Sequence, residues 1–132
     1  MIHELEQAIR DKYQWYHHYK QLEQQTEDAD WKQIVHHMVE DEKSHYEMFQ
    51  QLYYLQAGYY VTQLNKPEPF SAIVSFLHDA WKCELDAADA YKTLVLRYRT
   101  PQQATPFWIA MHDEMEHAIR LQGYMQWFSK RS

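Results

Sequence analysis

Asp41-Glu42-Lys43-Ser44-His45 and Asp113-Glu114-Met115-Glu116-His117 are two copies of one motif, Glu-x-x-His preceded by an aspartate, set 72 residues apart in a chain of 132. Residues three apart lie on one face of an α-helix, so each copy aims a carboxylate and an imidazole at the same point. Two such motifs facing each other, with one further Glu from each of two other helices, form a carboxylate cage for two metal ions in the core of a four-helix bundle.

The residues around each motif give it a buried setting. Trp31, Val35, Met38, Glu42, His45, Phe49 and Leu52 follow one another at alternating steps of four and three, and Phe107, Ala110, Glu114, His117, Leu121, Tyr124 and Phe128 do the same. That spacing marks a core-facing seam. A single Glu-x-x-His reads as a solvated helix face, but two copies flanked on both sides by apolar seam residues do not, since charged groups are rarely buried unless paired or bound to metal.

A third seam runs through Leu77, Trp81, Glu84, Ala88, Tyr91 and Val95, placing Glu84 thirty residues before Glu114. The same interval before Glu42 falls on Lys12, among Leu5, Ala8, Ile9, Trp15, Tyr16 and Tyr19. Lys12 therefore occupies the place of a fourth carboxylate. Asp11 is adjacent but points about 100° away around a helix. Three Glu and one Lys sum to a charge that one divalent ion neutralises, whereas four Glu would match two. Protonation of His45 and His117 balances the set equally well without any ion.

Helical periodicity covers about Ile2 to Gln24, Asp30 to Gln56, Phe70 to Arg99 and Pro106 to Phe128. Asp30 reads as an N-cap, and Thr105 before Pro106 reads as the start of the fourth helix. The first and third breaks, Gln25 to Ala29 and Thr100 to Ala104, are short enough to turn the chain back on itself. The middle break, Gly58 to Pro69, is longer. A helix of about 25 residues is roughly 38 Å long, and about a dozen extended residues cover a similar distance. The spacing thus predicts two hairpins, about residues 1–57 and 70–128, in one domain spanning 1–132, with a long crossover joining the second and third helices. Identities at the same 72-residue shift, such as Tyr19 with Tyr91 and Leu22 with Leu94, read as an internal duplication.

Composition narrows the function. Two Gly and four Pro favour long helices over an all-β fold. The formal net charge of -6 argues against non-specific nucleic-acid binding, and no apolar run approaches the roughly 18 residues of a membrane span. Met1-Ile2-His3-Glu4 does not read as a signal peptide, so a soluble, cytoplasmic protein is expected. The single Cys83 excludes an internal disulfide and reads as a bystander on its helix. The aromatic excess, 16% of residues, is assigned mainly to the core and partly to an oligomer interface, a homodimer being the base-rate expectation.

With Glu42/His45, Glu84 followed seven residues later by Tyr91, and Glu114/His117 in place, nearly the whole chain resembles the ferritin-like superfamily, and most closely its rubrerythrin-type erythrin domains. The resemblance implies an all-α, ferritin-like four-helix bundle. It implies that Glu42 and Glu114 bridge two irons, that Glu84 and His117 complete one position, and that His45 lies at the other, where Lys12 replaces the terminal Glu. Tyr19 and Tyr91 would be hydrogen-bonding partners of the carboxylates. The expected function is an iron- or manganese-binding protein, one ion favoured over two, with redox chemistry toward oxygen or peroxide or a role in iron handling. The alternative is a metal-free bundle serving as a structural or interaction module. The remaining histidines carry little: His17-His18 and His36-His37 are neighbours that diverge on a helix, and His112 with Glu116 reads as solvated surface.

Overall fold

The computed structural model describes residues 2–131. Among these the chain is helical throughout its regular structure, with α1 (Ile2–Gln25), α2 (Ala29–Ala57), α3 (Ile73–Arg97) and α4 (Pro101–Arg131) and no strand. It divides into two compact units, Met1–Pro69 and Phe70–Ser132, one holding α1 packed on α2 and the other α3 packed on α4. No helix among the described residues is long and apolar enough to cross a membrane.

In the first hairpin, Glu23 meets His36 at 3.1 Å, Lys12 meets Glu42 at 2.9 Å, and the rings of Tyr13 and Tyr46 lie 5.9 Å apart. One number falls as the other rises, so the helices are antiparallel. Leu5, Ala8, Ile9, Tyr19 and Leu22 of α1 are buried together with Val35, Met38, Val39, Phe49, Leu52 and Tyr53 of α2. The turn is held by Thr26, whose hydroxyl donates to the Leu22 carbonyl at 2.7 Å, and by Lys32, whose Nζ donates to the Glu23 carbonyl at 2.8 Å. Both contacts satisfy acceptors that the end of α1 leaves open. The cap of α2 is Asp28 and not Asp30: its carboxylate accepts the Trp31 N–H at 3.0 Å, and Asp30 falls instead in the first turn.

Gly58 closes α2 in the left-handed conformation, φ 84°, its N–H bonded to the Tyr54 carbonyl at 2.8 Å. This is the position where a residue without Cβ is favoured. The segment that follows stays on its own hairpin. Gln50 clasps Val61, donating to its carbonyl and accepting from its N–H, both at 2.9 Å. Arg10 then reaches the Gln63 carbonyl at 3.4 Å, and burial, followed by the charges of Lys66 and Lys20, holds the His17 imidazole below its usual range. The segment thus travels back along α1.

The second hairpin is antiparallel too, with Phe107 against Tyr91 and Tyr98 at 6.0 and 5.4 Å and Glu84 meeting His117 at 2.8 Å. Both of its helix starts differ from the sequence expectation. α3 begins at Ile73, because Phe70 folds back to stack on Phe76 with centroids 4.1 Å apart, a contact that staples the chain as it enters the helix. α4 begins at Pro101, since Thr100-Pro101 is a start signal of the same kind as Thr105-Pro106 and comes first. The Thr100 hydroxyl accepts the Gln103 N–H at 3.3 Å. Pro106 lies inside the helix, where its missing N–H forfeits one bond to the Gln102 carbonyl. The seams are largely buried, while Trp31, Val95 and Phe128 at their ends and Trp15 and Trp81 beside their centres are half-buried.

Because Asp28 is the residue whose side chain caps α2, Asp28→Ala is expected to destabilise the protein by about 1 kcal/mol, whereas Asp30→Ala should change stability by less; urea denaturation of the two variants checks this ranking.

Candidate metal centre

Each hairpin carries a buried polar set at the middle of its seam. In the first, Lys12, Glu42 and His45 are 1%, 0% and 0% exposed; in the second, Glu84, Glu114 and His117 are 1%, 0% and 1% exposed. These are corresponding positions of the duplication, and two of the corresponding pairs are identical. The exchange of Lys12 for Glu84 changes how each set is wired.

In the first hairpin the Lys12 ammonium lies 2.9 Å from the Glu42 carboxylate, with His45 Nδ1 at 4.0 Å from the same oxygen. Lysine and carboxylate cancel, so the set is neutral with a neutral His45. Burying each ion alone would cost several kcal/mol, and only close pairing offsets that. Asp11 offers no substitute, because it is exposed and accepts a bond from Gln7 at 2.8 Å.

In the second hairpin Glu84 stands at the position corresponding to Lys12 and turns to His117, whose Nδ1 lies 2.8 Å from Oε2. Two carboxylates at one buried location disfavour each other's charge, so an imidazole is the better neighbour for Glu84 than Glu114 is. Glu84, Glu114 and His117 each present one ligand atom within 4.8 Å of the others. Two oxygens and a nitrogen, buried and bearing two negative charges when His117 is neutral, can hold a metal ion. A hard to borderline divalent cation matches this donor set. The 2.8 Å between Nδ1 and Oε2 is close to the roughly 3 Å that separates two ligands on one ion with bonds of about 2.1 Å, so an ion and a shared proton compete for nearly the same space.

Tyr19 and Tyr91 are buried two turns beyond Lys12 and Glu84, Tyr19 against Trp15 at 5.5 Å and Tyr91 against Phe107 at 6.0 Å. The other candidates lie apart. Cys83 is exposed, and partial burial followed by the charges of Asp86, Glu84 and Asp79 pushes its thiol up, which disfavours a nucleophilic thiolate. His36 pairs with Glu23 and lies 3.6 Å from Glu40. Burial and the neighbouring His17 hold the His18 imidazole below its usual range. Glu116 is engaged by Arg120 at 2.8 Å, and His112 stacks on Trp108 at 5.6 Å.

In comparisons with known proteins, no family model matches the chain, and neither the curated proteins nor the solved structures return a match.

Lys12→Met, which leaves the Glu42 charge buried without its ammonium, is expected to cost about 3–5 kcal/mol, while the double change Lys12→Met with Glu42→Leu should recover most of the loss. Chemical denaturation of both variants, analysed as a double-mutant cycle, gives the coupling directly; a Lys12→Met protein as stable as the parent would mean that the pair contributes nothing.

Proposed function

We propose that the protein is a ferritin-like metal-binding protein that holds one divalent ion, iron or manganese, on Glu84, Glu114 and His117 of the second hairpin, while in the first hairpin the Lys12 ammonium pairs with Glu42 at the position where a fourth carboxylate is expected. The observation that carries this reading is the clustering, within the second hairpin, of the buried Glu84, Glu114 and His117, each of which presents one ligand atom within 4.8 Å of the others.

When bound, such an ion supplies one-electron chemistry toward dioxygen or peroxide. The protein's own groups do the rest. The carboxylates hold and partly neutralise the cation. Tyr91, buried two turns beyond Glu84 on the same helix, adds ring surface to the hairpin that carries it. A metal-free bundle is the second reading, favoured by one specific observation: Lys12–Glu42 and His117–Glu84 are contacts made by protein groups alone.

The two readings separate on metal stoichiometry. Protein purified without chelators should carry close to one ion per chain, lost in Glu84→Ala together with thermal stability, because an ion that binds only the native state stabilises it by mass action. Lys12→Glu restores a fourth carboxylate and should raise uptake toward two ions per chain while making the apo form less stable. No stable uptake of iron or manganese by the parent and the Lys12→Glu protein alike would leave the metal-free bundle. Two ions per chain in the parent would remove the role given to Lys12.

A further inference from the structure

On the first hairpin, away from the seam, α1 and α2 border a pocket of about 340 Å³ lined by Tyr13, Tyr16, Lys43, Tyr46 and Glu47. Its volume is at the small end of ligand-binding cavities, and its wall is mostly aromatic with two charged groups of opposite sign, the composition of a small-molecule site. A second hollow continues from it along α2, sharing Tyr46 and Glu47 and bordered by Gln50, Tyr60 and Val61.

The aromatic wall is fixed before any ligand arrives. Tyr13 packs against Tyr46 at 5.9 Å and edge-on against His17 at 4.7 Å; Tyr16 meets the same imidazole at 5.2 Å and carries Lys20 over its ring at 5.2 Å. The Tyr46 hydroxyl accepts from Gln50 at 3.0 Å, and Gln50 is itself locked to Val61. Rings held in place lose little freedom on binding a planar molecule.

The charged pair is arranged differently. Lys43 and Glu47 are one helical turn apart, yet no ion pair joins them in the structure of the described residues. Their order explains the weakness of that alternative, because lysine preceding glutamate at this spacing is the less favourable orientation. Both side chains are exposed and line the pocket, their backbone positions about 6 Å apart along the axis, within reach of two adjacent opposite charges on a ligand.

We propose that this pocket binds a small aromatic zwitterion, a ring stacked among Tyr13, Tyr16 and Tyr46 and carrying a carboxylate for Lys43 and an ammonium for Glu47. An aromatic α-amino acid has this chemistry. Neither charge alone uses the whole wall, and an uncharged ring uses only the tyrosines.

Three probes with one ring system separate the contributions: L-tryptophan with both charges, tryptamine with the ammonium alone, and indole-3-propionate with the carboxylate alone. Ligand-observed NMR and calorimetric titration against the full chain should show tryptophan binding more tightly than either singly charged probe. Lys43→Ala should weaken tryptophan and indole-3-propionate several-fold and leave tryptamine unweakened, and Glu47→Ala should do the reverse. Tyr13→Ala should weaken all three, with circular dichroism confirming that the helices persist. Both charged residues are exposed, so their variants retain the fold. Absence of binding at millimolar probe, tryptamine binding as tightly as tryptophan, or loss of all three probes equally in Lys43→Ala and Glu47→Ala would each overturn the proposal.

Discussion

A charge taken out of water into a helical core must find its counter-charge there, and the contact between Lys12 and Glu42 is where this chain meets that demand most directly. At 2.9 Å and essentially without solvent, it ties the middle of α1 to the middle of α2. The facing apolar residues then have one register in which to pack. Sliding either helix by a turn would strand two ions at once, each at a penalty of several kcal/mol. Hydrophobic burial drives the two helices together, and the ion pair selects among the ways in which they can meet.

The second hairpin answers the same demand with other means. Glutamate replaces lysine, and the favourable neighbour becomes an imidazole on the opposite helix. The two hairpins, related by the 72-residue interval, differ at their centres by one charge-reversing position, Lys12 against Glu84. One set holds an ammonium against a carboxylate, and the other brings together two carboxylates and an imidazole that could hold a metal ion. One position thus changes the buried chemistry at the centre of two hairpins whose turns and caps also differ.

Much of this was legible in the residue pattern. Steps of three and four located the helices and put Glu42, His45, Glu84, Glu114 and His117 on buried faces, and the repeated interval of thirty residues set Lys12 opposite Glu42. The helix ends were read less well for a shared reason: Asp28 and Asp30, like Thr100-Pro101 and Thr105-Pro106, are competing signals of equal chemistry. In each case the earlier one makes the cap bond. The choice of His117 by Glu84 depends on side-chain rotamers that spacing does not encode. The tyrosine pocket left little periodic trace, because Tyr13, Tyr16 and Tyr46 are half-buried at the flanks of their helices, and of the three only Tyr16 falls near a seam position.

The doubled Thr-Pro signal at the head of α4 bears on how that helix frays. Pro106 already lacks a bond to the Gln102 carbonyl, so the turn before it is joined to the rest of α4 by a weakened ladder. If that turn unwinds, Pro106 becomes a first-turn proline with Thr105 beside it as a ready cap. Melting from this end therefore meets a second stopping point before it reaches Phe107, the first core residue of the helix. Glu114 and His117 lie two turns deeper still, insulated from the loosest end of the element that carries them.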